Sequence, residues 1–205
     1  MNWNIVKGAC LALLPVAGTL KAQEKPNIVV ILADDLASNE ISCYGGKNLK
    51  TPNIDRIAEE GIRFTNNFAS CAMSVPIRAS LYTGLYPARH GSYQNHKISY
   101  SDIKSVTYYL PQAGYRVGRA GKTHTVPKSV FNFEKVPGFE ENCIAVTADY
   151  TVDGIRDFMR QDSPFCLFVC STLSHAPWTC GNKDEFDADK VILPPNCVDN
   201  KGTRE

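Results

Sequence analysis

Between Asn27 and Asp35 the chain reads NIVVILADD, a run of apolar and mostly β-branched residues that stops at two adjacent carboxylates. A run with no polar alternation suits a parallel strand covered on both faces, not one side of an antiparallel sheet. Parallel strands need crossover connections, and the next apolar pattern is helical. TPNIDRIAEEGIRF has Thr51 as cap, Pro52 at the first helical position, Ile54, Ile57 and Ala58 as apolar positions, and Gly61 as stop. The alternation then recurs. SDIKSVTYYLPQAGY predicts a helix closing near Gly114, with Pro111 disturbing its last turn, and YRVGRAGKTH predicts a strand leading into Lys122 and His124. YTVDGIRDFMRQ predicts an amphipathic helix with Ile155, Phe158 and Met159 as its apolar side. PFCLFVCSTLSHAPW is a second strongly apolar strand, with His175 just past its end. Strands alternating with helices predict an α/β fold, a mainly parallel sheet flanked by helices.

The 205 residues suffice for one sizeable domain, and a net charge of +1 excludes the basic field of a nucleic-acid-binding protein. The first residues differ from the rest. MNWNIVKGACLALLPVAGTLKAQ carries one early lysine, an apolar run from Ala9 to Ala17 and a short exit to Ala22. That layout predicts a signal peptide over residues 1–22, export to the periplasm or the medium, and a mature chain (23–205) without a membrane span. Cys10 opens the apolar run instead of following it, which argues against a lipid anchor. Of the eight cysteines, seven remain after cleavage, an odd number with no C-x-x-C spacing. A fully paired framework and a structural zinc site are therefore not expected. Cys166 and Cys170, inside an apolar run, read as small core residues.

Three predicted strands thus deliver ionisable groups at their carboxyl ends: Asp34 and Asp35, Lys122 and His124, and His175. In open α/β sheets that edge is where ligands bind. Singly, each group has a duller reading, as a turn aspartate, a surface lysine or a structural histidine; their convergence carries the functional one. The stretch SVPIRASLYTG adds a hydroxyl to the set. Pro76 suits the first helical position and Gly84 the end, which would leave Ser74 at the helix mouth, where free N–H groups favour an anion. Arg78, four residues on, shares the face of Ser74 and can clamp an oxyanion with two hydrogen bonds. Two carboxylates for a hard cation, an oxygen nucleophile, Arg, Lys and two His suit transfer of a sulfuryl or a phosphoryl group. The residues alone do not choose between the two.

The segments KPNIVVILADD, TPNIDRIAEEGIRFTNNFAS, SVPIRASLYTGLYPARHG, AGYRVGRAGKTH and LSHAPW resemble, in that order, the N-terminal half of the type I sulfatases. KVILPPNCVDNKGTRE is similar to the extended stretch that follows in that family. The Ser/Cys-x-Pro-x-Arg core followed by Thr-Gly is highly specific, whereas the aspartate pair alone is weak. Within the family the chain resembles the sulfamidases and glycosaminoglycan sulfatases. The resemblance implies the alkaline-phosphatase-like fold and hydrolysis of sulfate esters or N-sulfates, on sulfated carbohydrate. It implies that Ser74 is oxidised by a serine-type maturation enzyme to Cα-formylglycine, whose hydrate attacks sulfur with one hydroxyl and expels sulfate with the other. Asp34 and Asp35, with residue 74, match ligands of one Ca2+ ion; Arg78 matches the residue that supports the formylglycine. Lys122 and His175 match sulfate-binding groups, and His124 matches a partner of the formylglycine hydroxyl and the base for elimination.

Two departures from the family pattern follow. The position after Pro76 is usually small in this family, and here it is Ile77. Cys71 does not replace Ser74, because no proline stands two residues after it. The family's later half supplies an Asp-Asn metal pair and a further basic sulfate ligand, which nothing here matches. The expectation is therefore a C-terminally truncated catalytic domain, inactive and poorly stable alone. Asp34 and Asp35 would fill only part of a sphere that takes about six to eight oxygens. The alternatives are a phosphatase or phosphodiesterase of the same superfamily with Ser74 unmodified, and an inactive product that binds sulfated glycans.

Overall fold

The second of the two apolar runs, not the first, forms the centre of the sheet. The computed structural model describes residues 25–142 and 150–204. Four strands, β1 (Ile28–Ala33), β2 (Arg116–Gly121), β3 (Glu134–Val136) and β4 (Phe165–Ser171), pair in the order β1-β4-β2-β3. Every pairing is parallel, as the crossover pattern requires. β3 is too short to leave an apolar signature and is not legible in the sequence.

β4 carries core on both faces because successive side chains alternate sides. Cys166, Phe168 and Cys170 join Ala79, Tyr82, Val117, Val130, Phe131 and Phe133 on one face. Phe165 and Leu167 join Ala120, Val136 and Phe158 on the other. The first face is covered by the helix α2 (Ser74–Thr83), the second by α5 (Asp153–Met159). Tyr82 is fully buried at the centre of the first face. Edge-on rings of Phe131, Phe133 and Phe168 surround it at 6.1, 4.8 and 5.1 Å, and its hydroxyl meets Cys170 Sγ at 3.6 Å. That ring packing fixes α2 against the sheet.

Three local expectations change. β1 pairs only with β4 among the described residues, and Val29 and Ile31 are 47% and 66% exposed. Its first face, Ile28, Val30 and Leu32, packs on the α2 side. α5 covers only the other end of the sheet, where Phe158 lies on Phe165 and Val136, so the second face of β1 stays bare. On α5, Phe158 is buried but Met159 is 45% exposed, one position too far round the helix. Thr51 precedes helix α1 (Pro52–Glu60) but gives it no side-chain cap: its Oγ1 donates instead to Asp55 Oδ1 and accepts from Ser42 N.

The remaining helices are short: α3 (Pro87–His90), α4 (Val106–Gln112) and α6 (Lys201–Arg204). α4 starts at the Ser105 cap, whose side chain accepts from Thr107 N, and ends one residue after Pro111. His90, fully buried, bonds Ser80 Oγ through Nε2 and accepts Ser92 N through Nδ1, so it ties the chain after α3 back to α2. Cys166 and Cys170 are core residues, and all six described cysteines are free thiols. No helix among the described residues is long and apolar enough to cross a membrane. The expected signal segment 1–22, Cys10 and Cys143 lie outside the described residues.

Two glycines in the left-handed region separate strain from crowding. A Cβ on Gly84 (φ +72) would meet open space, whereas one on Gly121 (φ +81) would stand 2.2 Å from the Cys170 carbonyl oxygen. Gly84→Ala should cost about 1 kcal/mol, the left-handed penalty alone. Gly121→Ala should cost about 3 kcal/mol or more, because the clash is with backbone at the middle of the sheet. Urea midpoints of the two variants compare them directly.

Candidate active site

The ladders of the sheet continue one residue past the strands. Asp34 N donates to Ser171 O at 3.0 Å, and Lys122 N to Cys170 O at 3.0 Å. Asp34 and Lys122 are thereby held on either side of β4, at the same carboxyl edge. Arg78 reaches that edge from α2. Its Nη2 donates to Asp34 Oδ1 at 3.0 Å, while Lys122 Nζ donates to Asp34 Oδ2. All three are buried, Lys122 to 1% exposure, so the lysine is an interior cation and not the surface residue that its position taken alone would suggest. Two cations against one carboxylate leave one positive charge in the interior. Burial would raise the Asp34 carboxyl, but the Lys122 hydrogen bond and the Arg78 charge hold it below the ordinary carboxylate range.

Ser74 sits over this triad. Arg78 Nε donates to Ser74 Oγ at 3.3 Å, and His124 Nδ1 lies 3.2 Å from the same oxygen. With Arg78 donating into the serine oxygen, the hydroxyl proton is directed at Nδ1, which calls for the Nε2–H tautomer of His124. Burial first, then the charges around it, Lys122 foremost, hold His124 down at about 4. The imidazole is neutral near pH 7 and free to accept that proton. Arg78 Nη1 is buried and has no hydrogen-bond partner among the described residues. A buried guanidinium N–H without a partner is uncommon in folded proteins.

The helix mouth differs from the expected anion site. Ser74 is the first helical residue, Met73 the cap position, and Pro76 the third residue instead of the first. Val75 N donates to Asn95 Oδ1 at 3.1 Å, Pro76 has no N–H, and Ile77 N donates to Met73 O. The backbone donors are thus largely spent, and the capacity to hold an anion lies in the Arg78 and Lys122 side chains. Ile77, at the position the family keeps small, lines an apolar wall with Leu32 and Leu81 beside Asp34 and Ser74.

Asp35 and His175 complete the edge. His175 Nδ1 donates to Ala176 O at 2.6 Å, so Nε2 faces Asp35 Oδ2 at 3.6 Å and Asp34 Oδ2 at 3.9 Å. Among the described residues no three His, Cys, Asp or Glu side chains converge as a metal site. Asp34, Asp35 and Ser74 nevertheless offer oxygen donors only. A carboxylate has about four lone-pair positions, so Asp34 can accept both cations and still face a metal. The set fits a hard cation in kind and supplies part of its sphere.

The structure therefore brings Asp34, Asp35, Ser74, Arg78, Lys122, His124 and His175 to one edge. Asp35, Ser74, Lys122, His124 and His175 line a single cavity of about 720 Å³. Asn95 and His96 line it too. Sequence reasoning missed both: QNHK lies in coil, and no spacing there signals that it returns to the start of α2. Asp34→Asn should cost about 3–5 kcal/mol, since it leaves two interior cations unpaired. Asp35→Asn, at a side chain 59% exposed, should change stability by about 0.5 kcal/mol or less. Urea denaturation of the two variants checks the contrast.

A sequence model of the family described as Sulfatase matches residues 26–190, more than half of the chain. The ulvan-active sulfatase of Formosa agariphila is 38% identical over 161 residues, covering 76% of this chain and 31% of that protein. The N-sulphoglucosamine sulphohydrolase of Homo sapiens is 34% identical over 185 residues, covering 85% of this chain and 36% of that protein. A solved structure in complex with its substrate D-glucosamine-2-N,6-O-disulfate superposes with a TM-score of 0.64 at 30% identity, covering 76% of this chain and 36% of that one. The chain spans about a third of the length of these relatives. Its parallel sheet with flanking helices is the alkaline-phosphatase-like fold of these structures. By the length and specificity of these matches, the chain belongs to the sulfatase family.

Proposed function

We propose that this chain carries the nucleophile-bearing part of a sulfatase that hydrolyses sulfate groups on carbohydrate, as O-esters or N-sulfates. The observation that carries the reading is the environment of Ser74. Its oxygen lies between the Nε of a buried arginine and the Nδ1 of a neutral histidine. The Nη1 of that same arginine is buried with no hydrogen-bond partner among the described residues. Serine needs no such surroundings to end a helix. An oxygen nucleophile attacking an anionic centre needs all of them: a donor to orient it, a base for its proton and fixed positive charge for the oxyanion.

Ser74 is the residue to be converted to Cα-formylglycine: one hydroxyl of its hydrate displaces the sugar alcohol or amine at sulfur, the second expels sulfate as the aldehyde re-forms, and water restores the hydrate. Arg78 Nε holds the side-chain oxygen of residue 74, and the guanidinium adds fixed positive charge beneath it. Lys122 adds the charge of its ammonium, and His175 offers its Nε2 from the opposite side of the aspartates. His124, neutral near pH 7, takes the hydroxyl proton. Asp34, Asp35 and the oxygen of residue 74 would hold one Ca2+ ion, which supplies Lewis-acid stabilisation of charge. The relatives named for ulvan and N-sulphoglucosamine, and the structure holding a disulfated glucosamine, support a sulfated carbohydrate as substrate. The N-terminal layout over residues 1–22 supports export.

Peptide mass spectrometry across residue 74, after co-expression with a serine-type maturation enzyme, should find the peptide lighter by two hydrogens. In a form that spans the full length of its relatives, Ser74→Ala should abolish turnover of an aryl sulfate, with a stability loss of only about 1 kcal/mol for two lost hydrogen bonds at a part-buried site. Turnover retained by Ser74→Ala would overturn the nucleophile. An unmodified serine in an active enzyme would instead point to a phosphatase-type reaction.

A further inference from the structure

The chain has four histidines, and three of them, His96, His124 and His175, line one cavity, whereas His90 is a buried structural tie. His124 and His175 are absorbed by the sulfate chemistry; His96 is not. Its ring packs against that of His124, centroids 5.2 Å apart and planes tilted by 57°. His124 thus touches both the ring of His96 and the oxygen of Ser74.

The backbone holds His96 in that place at some cost. His96 has φ +65, in the left-handed region that few residues other than glycine adopt. The segment is tied on both sides. Before it, Asn95 Oδ1 accepts Val75 N at the first turn of α2. After it, Ser92 Oγ donates to Lys97 O at 2.8 Å, the buried Ser92 and Ser99 share a hydrogen bond at 2.9 Å, and Ser99 N donates to Val126 O at 3.0 Å. A rigidly tied loop therefore presents an exposed imidazole to the cavity. Among the described residues neither of its ring nitrogens has a hydrogen-bond partner, and Asn95 has only its oxygen engaged.

The anion itself is accounted for by Arg78 and Lys122. His96 lines the cavity that holds Ser74 but makes no hydrogen bond to the serine oxygen, which meets Arg78 and His124, so its ring is available to the portion of the substrate that bears the sulfate. Imidazole and carboxamide together offer donors and an acceptor, the chemistry that hydrogen-bonds hydroxyls. Resting on the sulfatase reading, we propose that His96, with Asn95, is the specificity-determining pair that hydrogen-bonds a ring hydroxyl of the sugar carrying the sulfate. Asn95 has a double role, since its oxygen also fixes the turn that bears Ser74; the test therefore falls on His96.

The test is a ratio in the matured enzyme, in a form that spans the full length of its relatives. kcat/KM is measured for 4-nitrophenyl sulfate, whose leaving group has no hydroxyls, and for glucosamine 6-sulfate, galactosamine 6-sulfate and N-sulfoglucosamine. The sugar that the wild type cleaves fastest is carried forward. His96→Ala should lower the sugar-to-aryl ratio of kcat/KM by ~10-fold, the loss of one hydrogen bond to substrate. His96→Asn, which tolerates the left-handed backbone and keeps hydrogen-bonding groups, should recover part of it. Equal thermal unfolding of both variants and wild type checks that the loop survives. A ratio that stays at the wild-type value in His96→Ala overturns the assignment and makes His96 a support for His124. A wild type that cleaves the aryl sulfate but none of the sugars overturns the sugar contact and leaves the sulfatase reading standing. One that cleaves neither ends both.

Discussion

The carboxylate of Asp34, held between Arg78 and Lys122, is the interaction on which the architecture of the site depends. Its two oxygens tie together the end of β1, the second turn of α2 and the end of β2. An isolated ion in that position would be expensive, and two cations without it would be worse. One positive charge remains within the triad, and Asp35 is the next carboxylate along the chain. A site built this way is stable only as a set. The Nη1 of Arg78 is buried with no partner among the described residues.

What orients that set is apolar. Ser74, Arg78 and Tyr82 fall at intervals of four along α2, so one stripe carries the serine oxygen, the guanidinium and the anchoring ring. Tyr82, among Phe131, Phe133 and Phe168, fixes the rotation of the helix. The chemistry at the top of α2 therefore rests on aromatic packing two turns below. On the sheet, the register Ala33↔Ser171 and Gly121↔Cys170 brings β1 and β2 to the same height. Asp34 and Lys122 can then meet across β4. A slip of one residue would turn Asp34 to the other face.

Much of this was legible. The apolar runs 28–33 and 165–171 read as strands, and the polar residues after them mark the ligand edge. The spacing of Ser74 and Arg78 put both on one helix face. What escaped was set by neighbours in space. Thr51, a good cap by type, is drawn off by Ser42 and Asp55. Met159 faces solvent because Phe158 alone fills the space over Phe165. The N-terminus of α2, expected to bind an anion, is capped by Asn95 from twenty residues away. His96 entered the cavity by the same route.

Local patterns in the chain set the alternation of strands and helices and the order in which the ionisable groups reach the sheet edge. These follow from periods of two and of about four residues, which are properties of a local chain. Packing in three dimensions set which strand is central, that Lys122 is interior, and that Asp34 pairs with partners 44 and 88 residues away. The reason is electrostatic and steric together. A charge becomes interior or exposed, paired or free, according to what other segments bring within a few ångströms of it, and no local pattern encodes that meeting.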